Sequence, residues 1–235
     1  MTQLADRFHA ITSQINTIDR PLGQSVHLLA VSKTRTSDEI KEVHQLGQKA
    51  FGENYIQEAT DKIQQLKDYD IEWHFIGPLQ SNKSRLAAEH FDWVHTIDRL
   101  KIAQRLSDQR PQDMPSLNVC IQVNIDQEES KSGFLAQEVI EAALKINQLP
   151  RLTLRGLMAI PKATDDPEQQ RLSLSRMHDL FTSVKAALSE QNQPAEAFDT
   201  LSMGMSGDME TAIQCGATIV RIGTAIFGPR PAKTK

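Results

Sequence analysis

The chain alternates eight times between a short apolar run and an amphipathic stretch, and this alternation restricts the fold more than any other feature. The runs cover residues 26–32, 50–54, 71–77, 93–96, 117–124, 152–160, 198–203 and 217–223. Each has the length and the β-branched or aromatic content of a strand. The stretches between them carry helical spacing. Thr36 opens the first, with Glu39 as its capping-box partner. Ile56, Ala59, Ile63 and Leu66 share one face; Leu135, Val139, Ala143 and Ile146 share another, as do Met177, Leu180, Phe181, Val184 and Leu188. Residues 81–90 and 98–109 read as helices, and short helices are expected from about Ser206 and after Thr224. Ahead of the first strand, Leu4, Phe8, Ile11, Ile15 and Ile18 fall at steps of four and three, so residues 1–20 form an extra helix packed on the rest. Strictly alternating βα units imply a parallel sheet with right-handed crossovers. Eight of them in 235 residues fit an α/β fold, one (β/α)8 TIM-type barrel with an additional N-terminal helix, with residues 1–235 as a single domain. The alternative is a doubly wound open sheet. In a barrel the functional groups gather at the C-terminal ends of the strands.

Composition excludes more than it selects. A net charge of −4 from 26 basic and 30 acidic side chains provides no footprint for nucleic acid or an anionic membrane. No run approaches the length of a membrane span, and the N-terminus lacks an apolar signal core, so a cytoplasmic protein is expected. Cys120 and Cys215 belong to no CxxC pair and read as buried free thiols.

Three features collect at the strand ends. Lys33 follows the first strand directly. A lysine there can be a plain surface charge, but one leaning into a barrel mouth is partly desolvated, which favours the neutral, nucleophilic amine. Ser202-Met203-Gly204-Met205-Ser206-Gly207-Asp208 follows the seventh strand and Gly223-Thr224 the eighth; both open short helices, where backbone N–H groups can receive an anion. Barrels often bind phosphate at these two strand ends, although glycine-bearing turns are needed there in any case. In a closed barrel strands one and eight are neighbours. A phosphate anchored at one and an amine at the other suit a phosphorylated aldehyde, and pyridoxal 5′-phosphate (PLP) is the common cofactor of that shape. Arg221 shares the parity of Gly223 and could hydrogen-bond a pyridine nitrogen, or be an outward, ion-paired arginine. Asn54 could donate to a ring hydroxyl or cap the next helix. Met158 could flank a ring or fill the barrel. His74 lacks a metal-ligand partner motif and reads as structural or supporting. Lys131 is an auxiliary amine or an exposed loop residue.

The motifs AVSKTR at Lys33, FGENYIQE at Asn54, WHFIGPLQSNK at His74, SKSGF at Lys131, GLMAI at Met158, LSMGMSGDMETAI at Ser206 and VRIGTAIFG at Arg221 resemble the YggS/PROSC family of PLP-homeostasis proteins. They occur in order and span nearly all of the chain after residue 25. The resemblance implies a monomeric barrel similar to the N-terminal domain of alanine racemase. It implies PLP as a Schiff base (aldimine) on Lys33, phosphate contacts from the Ser206 loop and Gly223-Thr224, and Arg221 near the pyridine nitrogen. It also implies a carrier, reservoir or regulator of vitamin B6 supply without a robust catalytic reaction, with PLP-dependent apo-enzymes as acceptors. One departure is Arg35, where such proteins often carry lysine, which puts an amine-exchange role at that position in doubt.

The enzymatic alternative is a PLP-dependent amino-acid racemase. Racemisation needs a base on each face of the α-carbon. Alanine racemases take the second base from another domain, which is not expected here. An arginine facing the pyridine nitrogen also weakens the ring as an electron sink. A third possibility, a Schiff-base barrel of aldolase type, lacks a clear carboxylate at the strand ends near Lys33; Asp126 and Glu128 lie in the strand-five loop.

Overall fold

The computed structural model describes residues 2–21 and 23–229. Eight parallel strands close on themselves in chain order: β1 His27–Val31, β2 Ala50–Glu53, β3 Glu72–Phe75, β4 Trp93–Ile97, β5 Leu117–Val123, β6 Leu152–Ala159, β7 Thr200–Ser202 and β8 Ile219–Ile222. Closure rests on β1 lying beside β8, with His27 opposite Ile219 and Ala30 opposite Ile222, which excludes the open sheet. The helices are α1 Gln3–Thr17, α2 Ser37–Gln45, α3 Ile56–Gln65, α4 Ser84–His90, α5 Leu100–Gln109, α6 Val139–Ile146, α7 Pro167–Glu190, α8 Met209–Gln214 and α9 Thr224–Phe227. The capping box at Thr36 is present in both directions. α4 and α6 are each preceded by a 3-10 turn, which is why the helical signal begins at Ser81 and near Leu135.

Strand alternation sorts the side chains. Phe51, Trp73, Phe75, Val94, Val119, Ile121, Leu157, Leu201, Val220 and Ile222 join the main core against the helices. The opposite faces form two small apolar clusters, one of Leu29, Val31, Ile76 and Ile219 and one of Trp93, Cys120 and Met158. The barrel interior is otherwise polar. A bulge on β6 accounts for part of this: Val119 pairs with Leu154 and Cys120 with Gly156, so Arg155 is the extra residue. Gly156 is required there, because a Cβ would come 1.7 Å from the Thr200 carbonyl oxygen. α1 buries Leu4, Ala5, Phe8 and Ile15, and the Arg7 side chain donates to the Ile226 carbonyl at 2.8 Å, fastening the N-terminal helix to α9. Cys120 is buried; Cys215 is only partly buried, contrary to the expectation for it. No helix among the described residues is long and apolar enough to cross a membrane.

Candidate functional site

Lys33 sits one residue beyond a serine that is held on the other side of the strand. Ser32 Oγ donates to Glu53 Oε1 at 2.6 Å. Lys62, buried on α3, donates to the Ser32 carbonyl at 2.8 Å, to Glu53 Oε1 at 2.8 Å and to Glu58 Oε1 at 2.6 Å. The Thr34 N–H reaches Glu58 Oε1 at 2.6 Å, from a residue whose φ of 63° lies in the left-handed region. Both neighbours of Lys33 are thus tied to one charged cluster behind the sheet. Lys33 itself continues the parity of Leu29 and Val31 and is half-buried at the barrel mouth. Burial pushes the Glu53 carboxyl up, against the pull of the Lys62 ammonium.

The end of β8 lies against the end of β1. A Cβ on Gly223 would stand 3.3 Å from the Val31 carbonyl oxygen, so the backbone that opens α9 passes close to the segment leading to Lys33. Thr224 is exposed. The turn after β7 is pulled over the same edge, since the Arg221 N–H donates to the Gly204 carbonyl at 2.9 Å. Gly204 has φ 95°, and a Cβ there would meet Ala212 Cβ at 2.7 Å, so only glycine permits this approach. Asp208 Oδ1 accepts the Met205 N–H at 2.6 Å, which leaves Ser206 and Gly207 at the exposed tip and starts α8 at Met209 rather than at Ser206. A Cβ on Gly207 would meet nothing within 4 Å, so the tip has open space before it.

Beneath the mouth a hydrogen-bonded chain crosses the barrel. Arg221, buried, donates to Ser202 Oγ and to the Ala159 carbonyl, both at 2.9 Å. Ser202 Oγ meets His95 Nδ1 at 2.9 Å, His95 Nε2 meets His74 Nδ1 at 2.9 Å, and His74 Nε2 meets Glu72 Oε1 at 2.6 Å. With both histidines neutral, one direction of donation satisfies every atom: arginine to serine to His95 to His74 to carboxylate. The electrostatics agree. Burial, with His74 and the Arg221 cation, holds His95 well below the ordinary histidine range. Burial lowers His74 as well, against the Glu72 carboxylate. The His74 hydrogen bond draws Glu72 down. Burial takes Arg221 down to about 10, opposed by Asp208, so it remains a cation at neutral pH.

The other expected site residues separate into two groups. Asn54 does not cap α3, whose N-cap is Tyr55 without a side-chain bond; its Oδ1 is buried and has no partner among the described residues. It lines a mouth cavity of about 250 Å³ together with Ile76, Thr96, Asn124 and Lys131. The Lys131 amine is held by the Ile160 and Pro161 carbonyls at 3.1 Å each and by Glu128 at 2.5 Å. Met158 is fully buried against Trp93 and Cys120, as filler. Ser202 is not on the exposed turn, the position from which it would help receive an anion. It ends β7 inside the barrel, its hydroxyl engaged by His95 and Arg221. Arg35 donates to the Gly228 and Pro229 carbonyls at 2.5 and 2.9 Å and serves to fasten the segment after α9. Among the described residues no group of three or more His, Cys, Asp or Glu could hold a metal ion.

Comparison with known proteins gives this geometry a context. The family model described as "Alanine racemase, N-terminal domain" matches residues 7–231. A protein of Vibrio alginolyticus called "Pyridoxal phosphate homeostasis protein" is 53% identical over 98% of this chain and 99% of its own. The protein of the same name in Escherichia coli K12 is 49% identical over the full length of both. The chain belongs to the pyridoxal phosphate homeostasis protein family. Family likeness extends to solved structures. PipY of Synechococcus elongatus, with PLP bound, superposes with a TM-score of 0.82 at 34% identity, covering 96% of this chain and 100% of that one. Alanine racemase of Corynebacterium glutamicum shares the fold, with a TM-score of 0.67 at 18% identity over 99% of this chain and 62% of its own.

Sequence reasoning missed His95, Glu53 and Lys62. Signals for them existed. His95 is two residues past Trp93 on a strand, so it shares the inward face with it. Lys62 stands three residues after Ala59, on the apolar face of α3, and four after Glu58. A lysine on a buried stripe calls for a buried acid.

Proposed function

We propose that the chain holds PLP as a Schiff base on Lys33 at the barrel mouth and acts in intracellular PLP homeostasis as a carrier or reservoir. The observation that supports this reading is the position of Lys33 at the end of β1, on the parity of Leu29 and Val31, between Ser32 and Thr34, which are both pinned to the Glu53–Lys62–Glu58 cluster behind the sheet. Bound PLP supplies an aldehyde carbon that condenses reversibly with an amine, releasing water. The remaining parts fit such a group. Ser206, Gly207 and Thr224 offer exposed hydroxyls and N–H groups for a phosphate. The unpartnered buried Oδ1 of Asn54 can accept from a ring hydroxyl. Arg221 is a fixed donor suited to an unprotonated pyridine nitrogen, its guanidinium oriented by Ser202 and Ala159. PipY, at 34% identity, has been solved with PLP bound.

A carrier needs a covalent foothold and an open mouth and no second base. The alternative, a PLP-dependent racemase, would need a base on each face of the substrate α-carbon. PLP-dependent apo-enzymes in the cytoplasm are the proposed acceptors, and the working unit is a monomer.

Absorbance titration with PLP tests the reading. The wild-type chain develops the near-visible band of a PLP Schiff base, and Lys33→Ala abolishes it; a band unchanged in Lys33→Ala would refute Lys33 as the foothold. Ser206→Ala with Thr224→Val weakens PLP binding, each lost charge-assisted hydrogen bond costing about 1.5–3 kcal/mol. Affinity within a factor of about two of wild type would reject this phosphate cradle. Incubation with L-alanine yields little D-alanine; multiple turnovers that disappear in Lys33→Ala would establish the racemase instead.

A further inference from the structure

A second cavity lies at the opposite end of the barrel from Lys33. It encloses about 520 Å³ at the N-terminal ends of the strands and is lined by Lys49, Glu72, His74, Trp93, Arg155 and Asp199, among others. That volume lies within the range of small-molecule sites. Two of its polar groups have capacity to spare. Trp93 is 5% exposed, and its indole Nε1, a donor only, has no hydrogen-bond partner among the described residues. A buried donor left unpaired costs free energy that an acceptor in the cavity would recover. Glu72 uses Oε1 for His74, and its side chain remains half exposed toward the cavity.

The surroundings hold these groups in place. The Trp93 ring stacks on His74 at 5.2 Å and 10°, and the Arg155 guanidinium covers it at 4.6 Å from the ring centre. Arg155 is itself fixed by Asp199 at 2.8 Å and Asn118 at 3.2 Å, and it reaches the floor because of the β6 bulge. The floor therefore sets a buried, unpartnered indole N–H beside a guanidinium and, across His74, a carboxylate. Its lining carries both signs, with Lys49 paired to Asp70, Arg155 paired to Asp199, and Glu72 bonded to His74. A guanidinium and a carboxylate held apart suit a dipolar ligand.

We infer that this floor cavity is a second ligand site that takes a small zwitterion, its carboxylate on Trp93 Nε1 and Arg155 and its ammonium on Glu72. The site shares no residue with the proposed PLP foothold. The buried chain from Glu72 to Arg221 runs between the two.

The test uses the full-length, 15N-labelled chain, loaded with PLP and reduced with borohydride so that an added amine cannot exchange at Lys33. Loading is checked by mass first. A chain that gains no mass speaks against the Lys33 reading alone and is titrated as it stands. The sequence has two tryptophans, so two indole N–H signals are expected, and Trp93→Phe identifies that of Trp93. Glycine is the probe, with acetate and methylammonium as half-molecule controls. The expected result is a saturable shift of the Trp93 indole signal with glycine, absent with either control and weakened about tenfold or more in Glu72→Gln. The amide that this substitution introduces keeps an acceptor for His74, so the fold is preserved while the ammonium partner is lost. No saturable shift up to about 50 mM glycine would overturn the inference. So would an equal shift with acetate alone, or an undiminished one in Glu72→Gln.

Discussion

The mouth and the interior of this barrel use polar groups in opposite ways. Inside, every link from Arg221 through Ser202, His95 and His74 to Glu72 is hydrogen-bonded, and the sequence of donors runs from a cation to an anion. At the mouth, Ser206, Gly207 and Thr224 face solvent, and Asn54 keeps a buried oxygen without a partner among the described residues. A satisfied network rigidifies and specifies; unsatisfied groups gathered in one place are what a ligand completes. The difference teaches where to look for function in a barrel whose interior is rich in titratable side chains. Two adjoining histidines near a carboxylate invite a catalytic reading, yet their bonds are fully used within the protein.

The comparison can be broken most forcefully behind Lys33. Lys62→Met leaves Glu53 buried without its cation and should cost about 3–5 kcal/mol of unfolding free energy in urea. Adding Glu53→Gln to the same chain should return most of that loss, because the uncompensated charge is gone. Equal losses in the single and double variants would mean that the cluster acts by packing alone. Next in size is the interior chain. His95→Phe strands Ser202 and His74 and should cost about 2–4 kcal/mol, with Lys33 still able to take PLP.

pH sharpens the contrast further. His95 and His74 have folded pKa values below the ordinary histidine value, so in acid the unfolded chain binds protons that the folded one refuses. Stability from this source is present above about pH 6.5 and falls as the pH drops below it, by at most about 1.4 kcal/mol per unit for each histidine. Thermal unfolding followed from about pH 7.5 to 5.5 checks the sign, and His95→Phe should flatten the dependence. The smallest stability effect belongs to the mouth. Ser206→Ala with Thr224→Val should change unfolding free energy by no more than about 0.5 kcal/mol while weakening PLP binding. A large loss of stability would mean these side chains are structural.

Much of this division is legible in the sequence. Eight apolar runs at regular spacing announce a barrel because each must bury one face against helices and the other against its fellows. Lys33, Gly223 and Thr224 are readable because they directly follow strands, where a residue number translates into a position at the mouth. Ser202 is readable as part of the seventh run, 198–203, but only the closure of β7 against β8 shows that its hydroxyl meets Arg221 and His95 inside the barrel. The axial chain depends on His74, His95, Ser202 and Arg221 meeting from four strands, which no local pattern encodes. Arg155 reaches the floor through a one-residue register shift, and a bulge of that kind is invisible until the strands pair.

The central claim is that the mouth presents one nucleophilic lysine to PLP. Borohydride reduction of the PLP-loaded chain, followed by peptide mass mapping, tests it directly. The account predicts a phosphopyridoxyl adduct on Lys33 alone. No adduct, or one spread over many surface lysines, would contradict it.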